Sequence, residues 1–333
     1  MKAAFFEIED WEKEYISSKI NNQELSFFPG PVAPENIAEI KNCQIISPFI
    51  YSKIDENILS ELSELKFIST RSTGFDHIDM SETRRINILV SNVPSYGENT
   101  VAEHTFALIL DLSRKIYQSI NRAKSGDFSL DGLRGFDLKN KTLGIIGLGH
   151  IGQRVAKIAR GFEMNVLVSD LNKDKKLVQE LGFQYTDIND LLAKSDIISL
   201  HVPYNKDTDH LINLHNINLI KKGAYLINTA RGGLVETTAL IESLGKGILA
   251  GAGLDVLEEE CFVKEERQLL SKEFPKTCDL KTVLQNHILL QQENVIITPH
   301  NAFNSKEALE RILETTVQNI QAFLIGKAIN IVK

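Results

Sequence analysis

Three glycines at Gly147, Gly149 and Gly152 stand between an apolar run, Thr142-Leu-Gly-Ile-Ile, and a segment of helical character, Gln-Arg-Val-Ala-Lys-Ile-Ala-Arg. A strand that turns sharply into a helix presents unpaired backbone N–H groups and the positive end of a helix dipole, which together favour a pyrophosphate. Gly147 would allow the tight turn, Gly149 the close approach of the phosphates, and Gly152 the packing of helix on strand. Short glycine patterns also arise by chance in loops, so the spacing needs support. It comes from a second apolar run, Val166-Leu-Val-Ser-Asp170, whose acid lies 18 residues past Gly152. At that separation a carboxylate accepts from a ribose 2′-hydroxyl. Asp170 would repel a 2′-phosphate and no arginine follows it, although Lys173, Lys175 and Lys176 are near. The expectation is an NAD site.

A chain of 333 residues is long for one core, so two domains are the default. Short apolar runs alternate with helical stretches, the pattern of parallel sheets covered on both faces. The first series comprises Lys2–Ile8, Leu25–Phe28, Cys43–Pro48, Lys66–Thr70 and Ile86–Ser91, without a glycine fingerprint. The second runs from Thr142 through Asn165–Asp170, Asp196–His201, Ala224–Thr229, Leu249–Val256 and Val295–Thr298. Between them, Thr100-Val-Ala-Glu103 reads as a capping box opening a long helix. Its buried face is expected to include Val101, Phe106, Leu108, Ile109, Leu112, Ile116 and Ile120. Ser305–Ile325 reads as a second amphipathic helix. Cys261–Asn294 breaks the pattern with clustered charges and Pro275, and within it Glu265–Lys272 and Leu280–Leu290 suit short helices. An excursion of that length is usually functional or a cover.

Bulk properties narrow the partners. A net charge of −7 and a pI near 5.7 argue against nucleic acid or an anionic membrane surface. No stretch approaches the roughly 20 apolar residues of a membrane span. Acids at Glu7, Glu9 and Asp10 leave no apolar signal-peptide core. Cys43, Cys261 and Cys278 lack metal-binding or paired spacing, which fits a reducing cytoplasm and no metal site.

Polar residues stand at the ends of the last three strands: Arg231 after Ala224–Ile227, the Glu258-Glu259-Glu260 run after Leu254-Asp255, and His300 after Thr298-Pro299. Ligands of open parallel sheets bind outside the carboxyl ends of the strands, so these loops should converge. A planar cation, a carboxylate and an imidazole suit a 2-oxo acid.

In these settings Arg231, Glu260 and His300 resemble the D-isomer-specific 2-hydroxyacid dehydrogenases. The resemblance spans nearly the whole chain. It includes Arg71-Ser-Thr-Gly-Phe-Asp76-His-Ile-Asp79, Val93-Pro-Ser-Tyr96, Val101-Ala-Glu-His-Thr, Gly147-Leu-Gly-His-Ile-Gly152, His201-Val-Pro203, Asn228-Thr-Ala-Arg-Gly-Gly-Leu-Val235, Leu254-Asp-Val and Thr298-Pro-His-Asn-Ala-Phe303. It implies a Rossmann dinucleotide-binding domain, 99–301, inserted into a flavodoxin-like substrate domain formed by 1–98 and 302–333. Both would be doubly wound parallel-sheet α/β domains.

The resemblance also implies roles. Arg231 would clamp the carboxylate and 2-oxo group, where lysine would lack the planar fork. His300 would exchange the proton, and Glu260 would orient and stabilise the charged imidazole. Glu258 and Glu259 remain alternatives in register, but spacings of five from Asp255 and 29 from Arg231 favour Glu260. Amides around Thr73 and Gly74 would bind the carboxylate, with Phe49, Tyr96 and Phe303 as pocket walls. His150 and Ile151 would cover the pyrophosphate, Asp170 the ribose, and Val202-Pro203 the adenine. Asp255 would lie near the nicotinamide, with Thr208, Thr229 and Ala230 as further cofactor contacts. His77, His104, His201 and His210 read as structural or pocket-wall groups, His104 as a satisfied core group.

Within the family, the chain most resembles the D-lactate and D-2-hydroxyisocaproate dehydrogenases, which also lengthen the segment between Glu260 and His300. Pyruvate/D-lactate is the expected pair. Glyoxylate, hydroxypyruvate and phosphoglycerate dehydrogenases are alternatives, as is an NADH-sensing corepressor-like binding protein. Phosphoglycerate dehydrogenases with a C-terminal regulatory domain would extend past Lys333. A homodimer formed through the cofactor domain, on the helix after Thr100, is the family expectation.

Overall fold

The computed structural model describes residues 1–258 and 279–332, so Glu260 and the expected helix Glu265–Lys272 lie outside the described residues. The chain divides into two compact units. Met1–Tyr96 with Asn304–Lys333 forms the first and Gly97–Phe303 the second.

In the first unit, strands β1 (Lys2–Phe5), β2 (Glu24–Phe27), β3 (Ile45–Ser47), β4 (Phe67–Ser69) and β5 (Leu89–Ser91) form a parallel sheet ordered β2-β1-β3-β4-β5. Side chains alternate across a strand, so each short run feeds two cores. Ala3, Phe5, Ile45 and Phe67 face one side, where they meet Ile16, Leu313, Val317 and Ile320. Ala4, Phe6, Ile46 and Ile68 face the other, with Ile40, Ile54, Leu59 and Val90. The covering helices are α1 (Asp10–Lys19), α2 (Ile37–Ile40), α3 (Glu56–Glu61) and α4 (Met80–Arg85), together with the C-terminal helix at Lys306–Leu324. Asp79 caps α4 by accepting from the Ser81 and Glu82 amides. Ser305 caps the C-terminal helix through the Ala308 amide.

The second unit starts with α5 (Glu98–Arg114) and α6 (Ile116–Lys124). Its sheet comprises β6 (Thr142–Ile146), β7 (Asn165–Ser169), β8 (Gln184–Tyr185), β9 (Ile197–Leu200), β10 (Ala224–Asn228), β11 (Leu249–Leu254) and β12 (Val295–Ile297). All its strand pairs are parallel, ordered β12-β11-β10-β9-β6-β7-β8. This is the doubly wound dinucleotide-binding order with one added strand. Helices α7 (His150–Gly161), α8 (Lys175–Leu181), α9 (Ile188–Lys194), α10 (Thr237–Gly245) and α11 (Leu280–Leu290) complete the unit, leaving Lys306–Leu324 as α12. Again both faces are dry: Leu143 and Ile145 pack with Phe106, Ile109 and Val155, while Ile146, Ile198 and Leu226 pack with Leu191 and Leu240.

Three expectations need correction. Thr100 does not open α5; the Val101 amide donates to the Gly97 carbonyl at 2.8 Å, closing the first turn before Thr100 is reached. The long helix also breaks. Lys115 takes left-handed φ 51°, and the Asp111 carboxylate accepts from the Tyr117 amide at 2.7 Å. The break turns α6 so that Ile116 and Ile120 are 45% and 47% exposed rather than buried. Finally, β8 joins the sheet with two residues, too short a run to carry periodicity. The expected helix at Leu280–Leu290 is present with those bounds.

Candidate active site

Every strand of a parallel sheet ends at the same edge, so the loops after β6, β7, β9, β10, β11 and β12 share one rim of the second unit. At its centre β6 runs into Gly147, which takes φ +94° and packs so tightly that a Cβ would stand 2.7 Å from the His201 carbonyl. A Cβ on Gly152 would stand 2.2 Å from the Gly147 oxygen, which only glycine permits. Gly149, at the N-cap of α7, meets open space instead, and His150 beside it is exposed with Nδ1 3.6 Å from Glu98 Oε1. Thus two glycines permit the fold and one leaves room for a ligand at a helix N-terminus. Asp170 completes this end: its Oδ2 accepts from the Leu148 amide at 2.6 Å and its Oδ1 from the Asn172 amide at 2.7 Å. The carboxylate is thereby fixed against the glycine turn. These features fit a dinucleotide. Ile151 and Val202 back the turn with partly buried apolar side chains.

The next strand ends carry Arg231, Asp255 and His300. Asn228, 1% exposed at the end of β10, accepts from the Ala230 amide and donates to the Arg231 carbonyl, clamping the turn that projects Arg231. Arg231 Nη1 donates to the Ala230 carbonyl at 2.8 Å, and Thr229 Oγ1 lies 3.0 Å from Thr105 Oγ1 on α5. A Cβ on Gly232 would stand 2.1 Å from the Leu257 carbonyl, so this turn rests directly on the backbone leaving β11.

Asp255, also 1% exposed, organises the neighbouring loop. Its Oδ1 accepts from Thr298 Oγ1 at 2.5 Å and the Asn301 amide at 2.7 Å, and its Oδ2 accepts from the Ala302 amide at 2.8 Å. Its carbonyl accepts from the His300 amide at 2.8 Å, which holds His300 at left-handed φ 51°. Burial raises the Asp255 pKa, but hydrogen bonds from His104, Thr298 and the two amides outweigh it and hold the carboxyl below the usual range. His104 therefore belongs to the site's frame rather than to a remote core: Nε2 stands 3.0 Å from Thr298 Oγ1 and 3.4 Å from Asp255 Oδ1. Phe303 meets the His300 ring edge-on at 6.4 Å.

Two other histidines have different duties. His201 Nε2 sits 2.8 Å from Ser199 Oγ, and desolvation pushes its pKa down to about 3, so at neutral pH the ring is the neutral imidazole rather than the imidazolium that acts as an acid. His210 Nε2 stands 2.6 Å from Glu258 Oε1, while Glu258 Oε2 accepts from the Thr237 amide and hydroxyl at the start of α10. Asn286 of α11 donates to the Glu258 carbonyl at 2.6 Å. Glu258 is thus committed to bracing the exit of β11. Burial lowers the His210 pKa, but the bond to Glu258 and the charges of Glu258, Asp209 and Glu236 prevail and raise it. The stability this pair adds is therefore complete below about pH 6.5 and declines as pH rises through the raised value. Urea midpoints of the wild type should fall over that interval, and His210→Gln should flatten the trend.

In the first unit, Thr73 and Gly74 follow β4 at its carboxyl edge, with Thr73 exposed. Beneath them Arg71 is 1% exposed; its Nη2 donates to the Phe6 and Glu7 carbonyls at 2.8 Å, and its guanidinium lies 5.5 Å from the Phe49 ring centre. The Tyr96 carbonyl accepts from Arg311 Nε at 2.7 Å. Thr208 closes its own loop by donating to the Pro203 carbonyl at 2.6 Å.

A seven-stranded parallel sheet with this glycine turn, an acid just after β7, and an arginine and a histidine after β10 and β12 on the same rim fits an NAD-linked α/β oxidoreductase. The family model "D-isomer specific 2-hydroxyacid dehydrogenase, NAD binding domain" matches residues 106–302. A "2-hydroxyacid dehydrogenase homolog" of Haemophilus influenzae is 34% identical, covering 98% of this chain and 97% of its own. A "Glyoxylate reductase" of Thermococcus litoralis is 34% identical over 91% of this chain and 88% of its own. The solved D-lactate dehydrogenase from Aquifex aeolicus, complexed with NAD and lactic acid, is 40% identical with a TM-score of 0.88, covering 98% and 96% of the two chains. The chain belongs to the D-isomer-specific 2-hydroxyacid dehydrogenase family. It is an NAD-dependent enzyme of the D-lactate dehydrogenase-like type.

Among the described residues, no helix is long and apolar enough to cross a membrane, and no group of three or more His, Cys, Asp or Glu side chains is placed to hold a metal ion.

Proposed function

We propose that the enzyme interconverts pyruvate and D-lactate. The observation that carries this reading is the frame at the ends of β10, β11 and β12, where the Arg231 and His300 loops flank the Asp255 loop on one rim. The 40% identity to a lactate-bound D-lactate dehydrogenase supports the substrate assignment. NADH, when bound, supplies the hydride that reduces C2 of the acid.

The remaining work falls to the protein. Arg231 pairs its planar fork with the carboxylate and the 2-oxo oxygen, drawing electron density from C2. His300 gives its proton to that oxygen as it becomes a hydroxyl, and takes the proton back in the oxidation direction. Glu260 steadies the charged imidazole. The Thr73 and Gly74 amides would hold the carboxylate, with Phe49 and Tyr96 as wall candidates in the same unit. On the cofactor, Gly147, Gly149, His150, Ile151 and Gly152 flank the pyrophosphate, and Asp170 takes the ribose. Val202 and Pro203 would border the adenine and Asp255 the nicotinamide, with Thr208, Thr229 and Ala230 as further cofactor contacts.

A steady-state panel of pyruvate, 2-oxobutyrate, 4-methyl-2-oxopentanoate, phenylpyruvate, hydroxypyruvate and glyoxylate with NADH tests the assignment. Pyruvate should give the highest kcat/KM. Preference for glyoxylate would transfer the assignment to the reductase reading that the Thermococcus litoralis relative favours. Asp170→Ala should lower the NAD-to-NADP ratio of kcat/KM by about tenfold or more, since the ribose acceptor and its charge are both lost; an unchanged ratio refutes its role.

The same reading includes a homodimer. Ile116, Tyr117 and Ile120 of α6 expose an apolar face, and Phe128 and Leu130 nearby are 81% and 82% exposed. A second copy would cover this surface, and sedimentation equilibrium at twice the chain mass is the expected result. A reducing, cytoplasmic setting accords with Cys43 being a buried free thiol.

A further inference from the structure

Asn319 is fully buried in the middle of α12, among Ile312, Leu313, Val317 and Ile320. Leucine would suit such a position better, both as a helix former and as a core residue. Both polar atoms of the amide are nevertheless bonded. Its Nδ2 donates to the Asn92 carbonyl at 2.9 Å, and its Oδ1 accepts from Asn330 Nδ2 at 2.8 Å. The Asn330 carbonyl in turn accepts from the Asn92 amide at 3.1 Å. Three asparagines, from α12, the C-terminal segment and the residue after β5, thus close a ring. One donor leaves the ring: Asn92 Nδ2, which bonds the Thr73 carbonyl at 2.8 Å.

That bond has a directional consequence. In a trans peptide the C=O of one residue and the N–H of the next point opposite ways. Holding the Thr73 carbonyl toward Asn92 therefore turns the Gly74 N–H away from it. The preceding peptide is held the same way, because the Val93 amide donates to the Ser72 carbonyl at 3.0 Å and so directs the Thr73 N–H. Two more bonds remove the remaining freedom. Thr73 Oγ1 donates to the Val93 carbonyl at 2.7 Å, and Ser72 Oγ donates to the Gly74 carbonyl at 2.6 Å. Ser72 is itself steadied through Thr70 Oγ1 at 2.8 Å, which lies 3.1 Å from His77 Nε2.

We infer that Asn319 is a positioning residue for substrate binding: through Asn92 it sets the plane of the Thr73–Gly74 peptide and hence the aim of the N–H that meets the acid's carboxylate. The inference rests on the reading of Thr73 and Gly74 proposed above, and its test separates the two.

Asn319→Asp keeps the acceptor for Asn330 and loses the donor to Asn92. Asn92→Asp keeps the ring's backbone bonds and loses only the donor to Thr73, so it serves if the first variant folds poorly. In the full-length enzyme, amide exchange in a peptide spanning 70–78 should quicken about tenfold on losing one such bond. KM for the 2-oxo acid should rise about tenfold, while KM for NADH and kcat stay within about twofold. A merely structural role would lower the active fraction without splitting the two KM values. Unchanged exchange in both variants overturns the inference. Faster exchange with an unchanged KM for the 2-oxo acid overturns the carboxylate reading of the loop, and the inference with it.

Discussion

His300→Asn is expected to lower kcat/KM for 2-oxo acid reduction by about 10²–10⁴, the usual contribution of a positioned general acid. NADH affinity, read by fluorescence titration, should stay within about twofold, because the groups proposed to hold the cofactor lie on other loops. Asparagine isolates the ring's contribution. His300 sits at φ 51°, a region asparagine tolerates better than most residues. Its amide would still donate to the Asp255 carbonyl, so the loop keeps its path. His201, held neutral by a pKa near 3, cannot substitute as the acid, and His104 is bound to Thr298 and Asp255. A variant retaining a tenth of the wild-type kcat/KM would remove His300 from proton transfer.

What the sequence disclosed about this site follows from how each contact is separated along the chain. The Gly147–Gly152 turn and Asp170 are close in sequence, and a spacing rule captures them because one strand–helix–strand unit fixes their geometry. Arg231, Asp255 and His300 stand far apart, yet each terminates a strand, and parallel strands end at one rim. The partners of these residues obey no such rule. His104 reaches Thr298 across 194 positions, and His210 reaches Glu258 across 48. Both are lone histidines in apolar or mixed surroundings, indistinguishable in sequence from satisfied core groups. Asn319 is similar: a single polar residue on an apolar helical stripe reads as an imperfection until its partners are seen. The break at Lys115 escaped for a converse reason. The apolar period continues through Ile116 and Ile120, so the pattern gives no sign that the backbone turns left-handed and presents those side chains to the outside.

Asp255 should prove the most sensitive residue for stability, and for activity through the loop it holds. Asp255→Ala would strip the acceptor from the Thr298 hydroxyl and the Asn301 and Ala302 amides at once. Losing a buried carboxylate with several donors costs about 3–5 kcal/mol, or a fall in Tm of roughly 10 °C for a unit of this size. Asp255→Asn is the sharper experiment. Both carboxylate oxygens accept in the native site, whereas an asparagine offers one acceptor and turns an NH₂ toward the remaining donor. The isosteric variant should therefore recover little of the lost stability, and kcat should fall with it because the His300 loop loses its anchor. Acid should act on the wild type in the same direction. A carboxyl whose folded pKa is lowered stabilises the protein above its ordinary value of about 3.9 and loses that contribution as pH falls through the lowered one. Between about pH 4 and the lowered pKa, the urea midpoint of the wild type should drop more steeply than that of Asp255→Asn. Equal slopes, or an Asp255→Asn enzyme with wild-type midpoint and kcat, would mean that the loop carrying His300 is held by something other than this carboxylate.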